Sequence, residues 1–124
     1  MSTILIVDDE YLIADILSFA LEDEGYLTVT AGSGQRALSI LERERPHLII
    51  TDYMMPGMNG IELAEAVRGH KTLSTLPIML MSGAQAHLGL ARPDLFVEVF
   101  DKPFDLQVVL TRVKALLGPG PGPH

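Results

Sequence analysis

The sequence predicts a doubly wound α/β fold built on a five-stranded parallel sheet. Two patterns carry that expectation. Short, continuously apolar runs, rich in β-branched residues, recur along the chain, and segments with apolar residues at helical spacing lie between them. Such alternation argues for parallel strands covered by helices on both faces.

The elements follow in order. Residues 3–7, TILIV, read as a strand buried on both faces. Residues 11–24 carry Ile13, Ile16, Leu17, Ala20 and Leu21 on one helical face, with Gly25 as the stop. LTVTA, 27–31, is the second strand. A helix over 34–44 turns Ala37, Leu38 and Leu41 inward and ends before Pro46. HLIIT is a strand, 60–68 a helix, PIMLM a strand, FVEVF a strand and 105–117 a helix. The stretch 83–95 contains Gly83, Gly89 and Pro93, all poor in a helix interior, and predicts a short, irregular or mobile fourth helix. The domain is expected to span 1–117. The Gly/Pro-rich stretch 118–124 cannot hold a helix or strand and is expected to be a disordered tail.

Composition narrows the function. The chain has 124 residues, enough for one domain with a real core. A net charge of −7 argues against direct nucleic-acid binding, because phosphate backbones select basic surfaces. The absence of cysteine excludes disulfides and thiolate metal sites. No apolar run approaches the length of a membrane span, and no basic region precedes the first one. The expected location is the cytoplasm.

In open parallel sheets, ligands bind beyond the carboxyl ends of the strands. The first strand ends in Asp8 and Asp9, the third in Asp52, the fourth in Ser82, and the fifth runs into Lys102 and Pro103. In a flavodoxin-like (βα)5 order, 2-1-3-4-5, strands one and three are neighbours and the three aspartates converge. Close carboxylates need protons or a cation. An all-oxygen site that is partly open suits Mg²⁺. Such a collection makes sense for phosphoryl transfer, with a carboxylate as nucleophile and metal, lysine and hydroxyl on the phosphoryl oxygens.

Each residue also has a plainer reading. One of Asp8 and Asp9 could cap the following helix, though a cap does not explain two. Asp52 could be a turn residue before Pro56 and Gly57, Ser82 a strand-end hydroxyl, and Lys102 a solvated lysine. Glu10 reads as a solvated glutamate at a helix start, with a weak claim on the metal site. Met54, Met55, Met58, Met79 and Met81 read mainly as packing around the site, with Met55 or Met58 as candidates for partner contact. The four histidines show no metal-ligand spacing.

VDDE after the first strand, TDYMMPGMNG after the third, MSG after the fourth and DKPF after the fifth resemble the receiver domain of two-component response regulators, including the single-domain chemotaxis-type regulators. The likeness covers residues 2–117. It implies that Asp52 is the phosphoacceptor. It implies that Asp9 binds Mg²⁺ directly, that Asp8 acts through water or as a second acidic neighbour, and that the Met54 backbone carbonyl completes the metal site. Ser82 would hydrogen-bond the phosphoryl group, Lys102 would form an ion pair with it, and the Lys102–Pro103 peptide would be cis. The donor would be a sensor histidine kinase or a histidine phosphotransfer protein. The output would be a downstream protein or an effector domain outside this chain.

The departures from the family pattern are specific. The position three before the lysine, usually Tyr or Phe, is Val99, and strand alternation points Phe100 to the opposite face. The customary Gly-Ala-Asp before the fifth strand is absent. An atypical output face follows. Met54 and Ala84 stand where rapidly self-dephosphorylating members place an acid or amide, and neither side chain can orient a water, so a long-lived phosphoaspartate is expected. Leu12 and Phe19 flank the core stripe of the first helix and fit either wide burial or partner docking. The expected function is a signalling switch that assists its own phosphorylation and dephosphorylation, rather than a turnover enzyme. The alternative is a receiver-like interaction module that works without phosphorylation. A flavodoxin-like cofactor binder would need a Ser/Thr/Gly-rich loop after strand one, where VDDEYL puts acid.

Overall fold

The computed structural model describes residues 1–119. Its elements are β1 (Thr3–Val7), α1 (Tyr11–Asp23), β2 (Leu27–Ala31), α2 (Gly34–Leu41), β3 (Leu48–Asp52), α3 (Gly60–Arg68), β4 (Ile78–Ser82), α4 (Ala86–Leu90), β5 (Glu98–Asp101) and α5 (Leu106–Leu117). The strands form one sheet in the order β2-β1-β3-β4-β5, and every pair is parallel. From residue 120 the expected Gly/Pro-rich tail lies outside the described residues.

Strand alternation divides the core into two layers. Leu5, Val7, Ile49, Ile78, Leu80 and Val99 face α2, α3 and the α4 side. Ile4, Ile6, Leu48, Ile50, Met79, Met81 and Phe100 face α1 and α5. β1, β3 and β4 are apolar on both faces because both faces are covered, which is why their sequences show no polar alternation. β2, at the sheet edge, is the most exposed of these strands.

Local signals set the helix ends. Ser33 accepts a hydrogen bond from the Arg36 N–H at the start of α2. Asn59 and Glu62 form a capping box on α3. Asp105 accepts from the Gln107 N–H before α5. Gly25, at φ +97°, takes a left-handed conformation just after α1. Arg68, at the end of α3, donates to the carbonyls of Leu76 (2.5 Å) and Leu95 (2.7 Å), which ties α3 to the segment before β5.

Two sequence expectations change in detail, and a third is met. β3, β4 and β5 begin one or two residues later than the runs HLIIT, PIMLM and FVEVF, while Asp52 and Ser82 close β3 and β4 as expected. Ile16 is exposed, not core: α1 buries Ala14, Leu17 and Leu21 instead. The fourth helix is short, five residues, as its glycines and proline imply.

Candidate functional site

The registers carry Asp8 and Asp52 to the same end of the sheet. Val7 pairs with Thr51, so the next residue on each strand lies at the β1–β3 seam. Asp52 pairs with Met81 on the other side, and the Tyr53 N–H continues that ladder to the Met81 carbonyl at 2.9 Å. Lys102 is brought in by β5: its N–H donates to the Ser82 carbonyl at 2.8 Å, and the Lys102–Pro103 peptide is cis. The turn after Asp52 closes tightly. The Gly60 N–H donates to the Tyr53 carbonyl at 2.8 Å, and a Cβ on Gly60 would lie 2.5 Å from the Asp52 carbonyl oxygen. Only glycine lets α3 start this close to the acidic strand end.

Asp8, Asp52 and Ser82 are buried here, as is Thr51, whose hydroxyl donates to the Asp52 carbonyl. The carboxylates of Asp8, Glu10 and Asp52 each place an oxygen within 4.8 Å of the others. Lys102 Nζ lies 3.0 Å from Asp52 Oδ1, 3.6 Å from Asp8 Oδ2 and 3.8 Å from Glu10 Oε1. Asp9 sits exposed at the rim, close enough for its charge to act on Asp52. Met54 is exposed in the following turn, while Met55 is buried.

One ammonium does not balance this much acid. Burial pushes the Asp8 carboxyl up to about 6, against the pull of the Glu10 N–H on its oxygen, and the charge of Asp52 adds to the rise. Burial likewise raises Asp52, and the hydrogen bond and charge of Lys102 only partly reverse it. Burial opposes the charge on Lys102, but the hydrogen bond to Asp52 and the nearby acids outweigh it, holding the ammonium above its usual value. The two shifts on the Lys102–Asp52 pair thus point the same way for different reasons. The lysine keeps its charge favoured, and the aspartate, sharing it with two other acids, is still held above its ordinary value.

These residues fit a hard divalent cation. The donors are all oxygen, and Asp8 Oδ2 is buried with no hydrogen-bond donor. Ser82 Oγ is buried and equally unpartnered. Asp8 Oδ2 can accept and the Ser82 hydroxyl can donate or accept, and neither has a hydrogen-bond partner within the protein. The position of Glu10 within the cluster was given little weight by its sequence signal, a charged residue at a helix start.

The fold and this acidic strand-end site are those of a response regulator receiver domain, a description that matches residues 4–114, and the chain belongs to that family. Among curated proteins it is 36% identical over 120 residues to the probable transcriptional regulatory protein TcrX of Mycobacterium tuberculosis, covering 93% of this chain and 49% of that protein. It is 37% identical to the alkaline phosphatase synthesis transcriptional regulatory protein PhoP of Bacillus subtilis, covering 92% of this chain and 48% of that one. The chain therefore spans about half the length of these relatives. Among solved structures, a putative response regulator from Chloroflexus aurantiacus superimposes with a TM-score of 0.86 at 32% identity, covering 94% of this chain and 97% of that one. The response regulator TrrA of Thermotoga maritima, in complex with Mg(2+)-BeF, gives a TM-score of 0.83 at 33% identity, covering 94% and 100%. Domains of this family act as signalling switches. Among the described residues, no helix is long and apolar enough to cross a membrane.

Proposed function

We propose that Asp52 accepts a phosphoryl group from a phosphohistidine on a sensor kinase or phosphotransfer protein, with Mg²⁺ bound beside it. The observation that carries this reading is the meeting of Asp8 and Asp52, both buried, with Lys102 and an unpartnered Ser82 at one strand end. An Asp52 oxygen attacks phosphorus, and the bond to the histidine nitrogen breaks. Lys102 leaves its present partner oxygen to pair with the arriving phosphoryl group, and the Ser82 hydroxyl donates to another of its oxygens. When bound, Mg²⁺ supplies positive charge that offsets the carboxylates and polarises the phosphoryl group. Asp8, Asp9, Asp52 and the Met54 carbonyl would hold it.

Two surfaces support the switch reading. A groove of about 540 Å³ runs from Glu10 and Lys102 past Ile13, Ile16, Phe104 and Leu106. With Leu12, Ile16 and Phe19 exposed along α1, it offers a helical donor an apolar seat next to the site. On the opposite layer, Val99 packs under α4 where a larger ring would otherwise turn inward, and a Cβ on Gly89 would lie 3.2 Å from Val99 and 2.5 Å from Leu80. This close seat supports an output face that works without an aromatic swing. The side chains of Met54 and Ala84 have no group to orient water, which supports a long-lived phosphoaspartate.

The test is intact mass after incubation with Mg²⁺ and acetyl phosphate. The expected result is one phosphate adduct that requires Mg²⁺ and persists for minutes or longer after the donor is removed. A protein that binds no Mg²⁺ and gains no phosphate from acetyl phosphate or from a phosphorylated phosphotransfer protein would favour the interaction module instead.

A further inference from the structure

We propose that Glu10 is a further carboxylate of this site: it strengthens the hold on the divalent cation and keeps a partner for Lys102 once the cation takes over Asp8 and Asp52. The proposal rests on the phosphoacceptor reading above and adds a residue to it.

Glu10 occupies the N-cap position of α1, where Ser, Thr, Asp or Asn would bond the first free amides. It makes no capping hydrogen bond. Its own N–H donates instead to Asp8 Oδ1 at 2.9 Å. This short turn fixes the Glu10 backbone against Asp8 and leaves its side chain free to reach across the site. The reach is used: the Glu10 carboxylate lies within 4.8 Å of those of both Asp8 and Asp52, and Oε1 is 3.8 Å from Lys102 Nζ.

A cluster of acids alone would carry little weight, since exposed carboxylates often gather without a ligand. Here the cluster also contains Asp8 Oδ2, fully buried and with no hydrogen-bond donor. An unsatisfied buried anion oxygen asks for a cation. Glu10, with 67% of its side chain exposed, stands at the mouth of the site, while the Asp8 side chain is fully buried at its floor. An entering cation therefore meets Glu10 before it meets Asp8. As the cation takes over the charge of Asp8 and Asp52, Lys102 loses its hold on them, and Glu10 is the partner left within its range.

The plainer role for a glutamate at a helix start is favourable interaction with the helix dipole. That role changes helix stability and leaves cation affinity alone. The two are separated by Glu10→Gln, which keeps length and removes charge. Calorimetric titration of Mg²⁺ into the full chain, with no phosphodonor present, reads the affinity directly, and Asp52→Asn serves as the site control. The expected result is about 3- to 10-fold weaker Mg²⁺ binding in Glu10→Gln, the loss of one carboxylate near a divalent ion. Thermal midpoints without cation should agree within about 2 °C, since Glu10 is exposed and caps nothing. If Glu10→Gln binds Mg²⁺ as the parent does while Asp52→Asn loses binding, the role of Glu10 is wrong and the site stands. If the parent protein itself binds no Mg²⁺, both fall.

Discussion

The carboxyl ends of β1 and β3 and the α4–β5 edge are built in opposite ways. At the first, buried acids crowd together at a cost in folding stability, with one lysine to offset them. At the second, a five-residue helix is seated by small side chains, with Gly89 against Leu80 and Val99. Among the described residues, the α4 side has no buried charge and is fastened from outside: Arg68 reaches the Leu95 carbonyl, and Arg92 bridges Glu65 and Asp94 in exposed ion pairs that contribute little. Under the proposed function, the difference separates the place of the chemistry from that of the readout. Chemistry needs groups that are costly to bury, and the sheet's central seam has the packing to hold them. Readout would need an element that shifts easily, as a five-residue helix at the sheet edge can.

The sharpest way to break the comparison is to disturb the hinge of the acidic turn. Gly60→Ala forces a Cβ against the Asp52 carbonyl oxygen, which is backbone and cannot step aside. Unfolding by denaturant should show a loss of about 3–4 kcal/mol, with Mg²⁺ affinity falling alongside. A variant as stable as the parent would mean that α3 does not buttress the site.

The burial of Asp8 gives a second, smaller effect of opposite sign. Its folded value of about 6 lies above the 3.8 of an ordinary aspartate. The proton it binds on folding therefore stabilises the protein fully below about 4, and that contribution is lost as pH rises through about 6. Without cation, Asp8→Asn should be the more stable protein at pH 8, by about 1–3 kcal/mol, and the gain should vanish towards pH 4. Mg²⁺ competes with the same proton, so its affinity for the parent should fall as pH drops through about 6. Denaturation curves and cation titrations across this range check both; a flat difference between pH 8 and pH 4 would remove burial strain from the account.

The smallest effect belongs to the edge. Gly89→Ala meets the end of the Leu80 side chain at 2.5 Å, and that end can move. The expected cost is about 1 kcal/mol, with faster amide exchange confined to α4 and Mg²⁺ affinity unchanged. A change in Mg²⁺ affinity equal to that of Gly60→Ala would mean that the two regions are one unit.

Much of this was legible in the sequence because the chemistry sits at the ends of apolar runs. Asp8, Asp52, Ser82 and Lys102 are visible as polar residues where buried strands stop; the alternation of elements implies a parallel sheet, and the order that brings them together is that of the flavodoxin-like topology class. The bounds of β1 and α3 also follow directly from composition and capping residues. Ile16 was misread because helical spacing marks an apolar face without saying how much of it the sheet covers; α1 leaves the outer part of that face bare. Glu10 was undervalued because its place depends on a turn closed by Asp8, a three-dimensional fact with no signature in the residue itself. Val99 and Phe100 were read correctly onto opposite faces, since strand alternation leaves no other arrangement.

The central claim is that the carboxylate ending β3 is the nucleophile. The direct test is to phosphorylate the protein with acetyl phosphate and Mg²⁺, reduce the acyl phosphate with borohydride, and map the modified residue by peptide mass spectrometry. The account predicts homoserine at position 52 and nowhere else, with none formed when Mg²⁺ is chelated. Homoserine at position 8 or 9, or a phosphate that survives on Ser82, would contradict it.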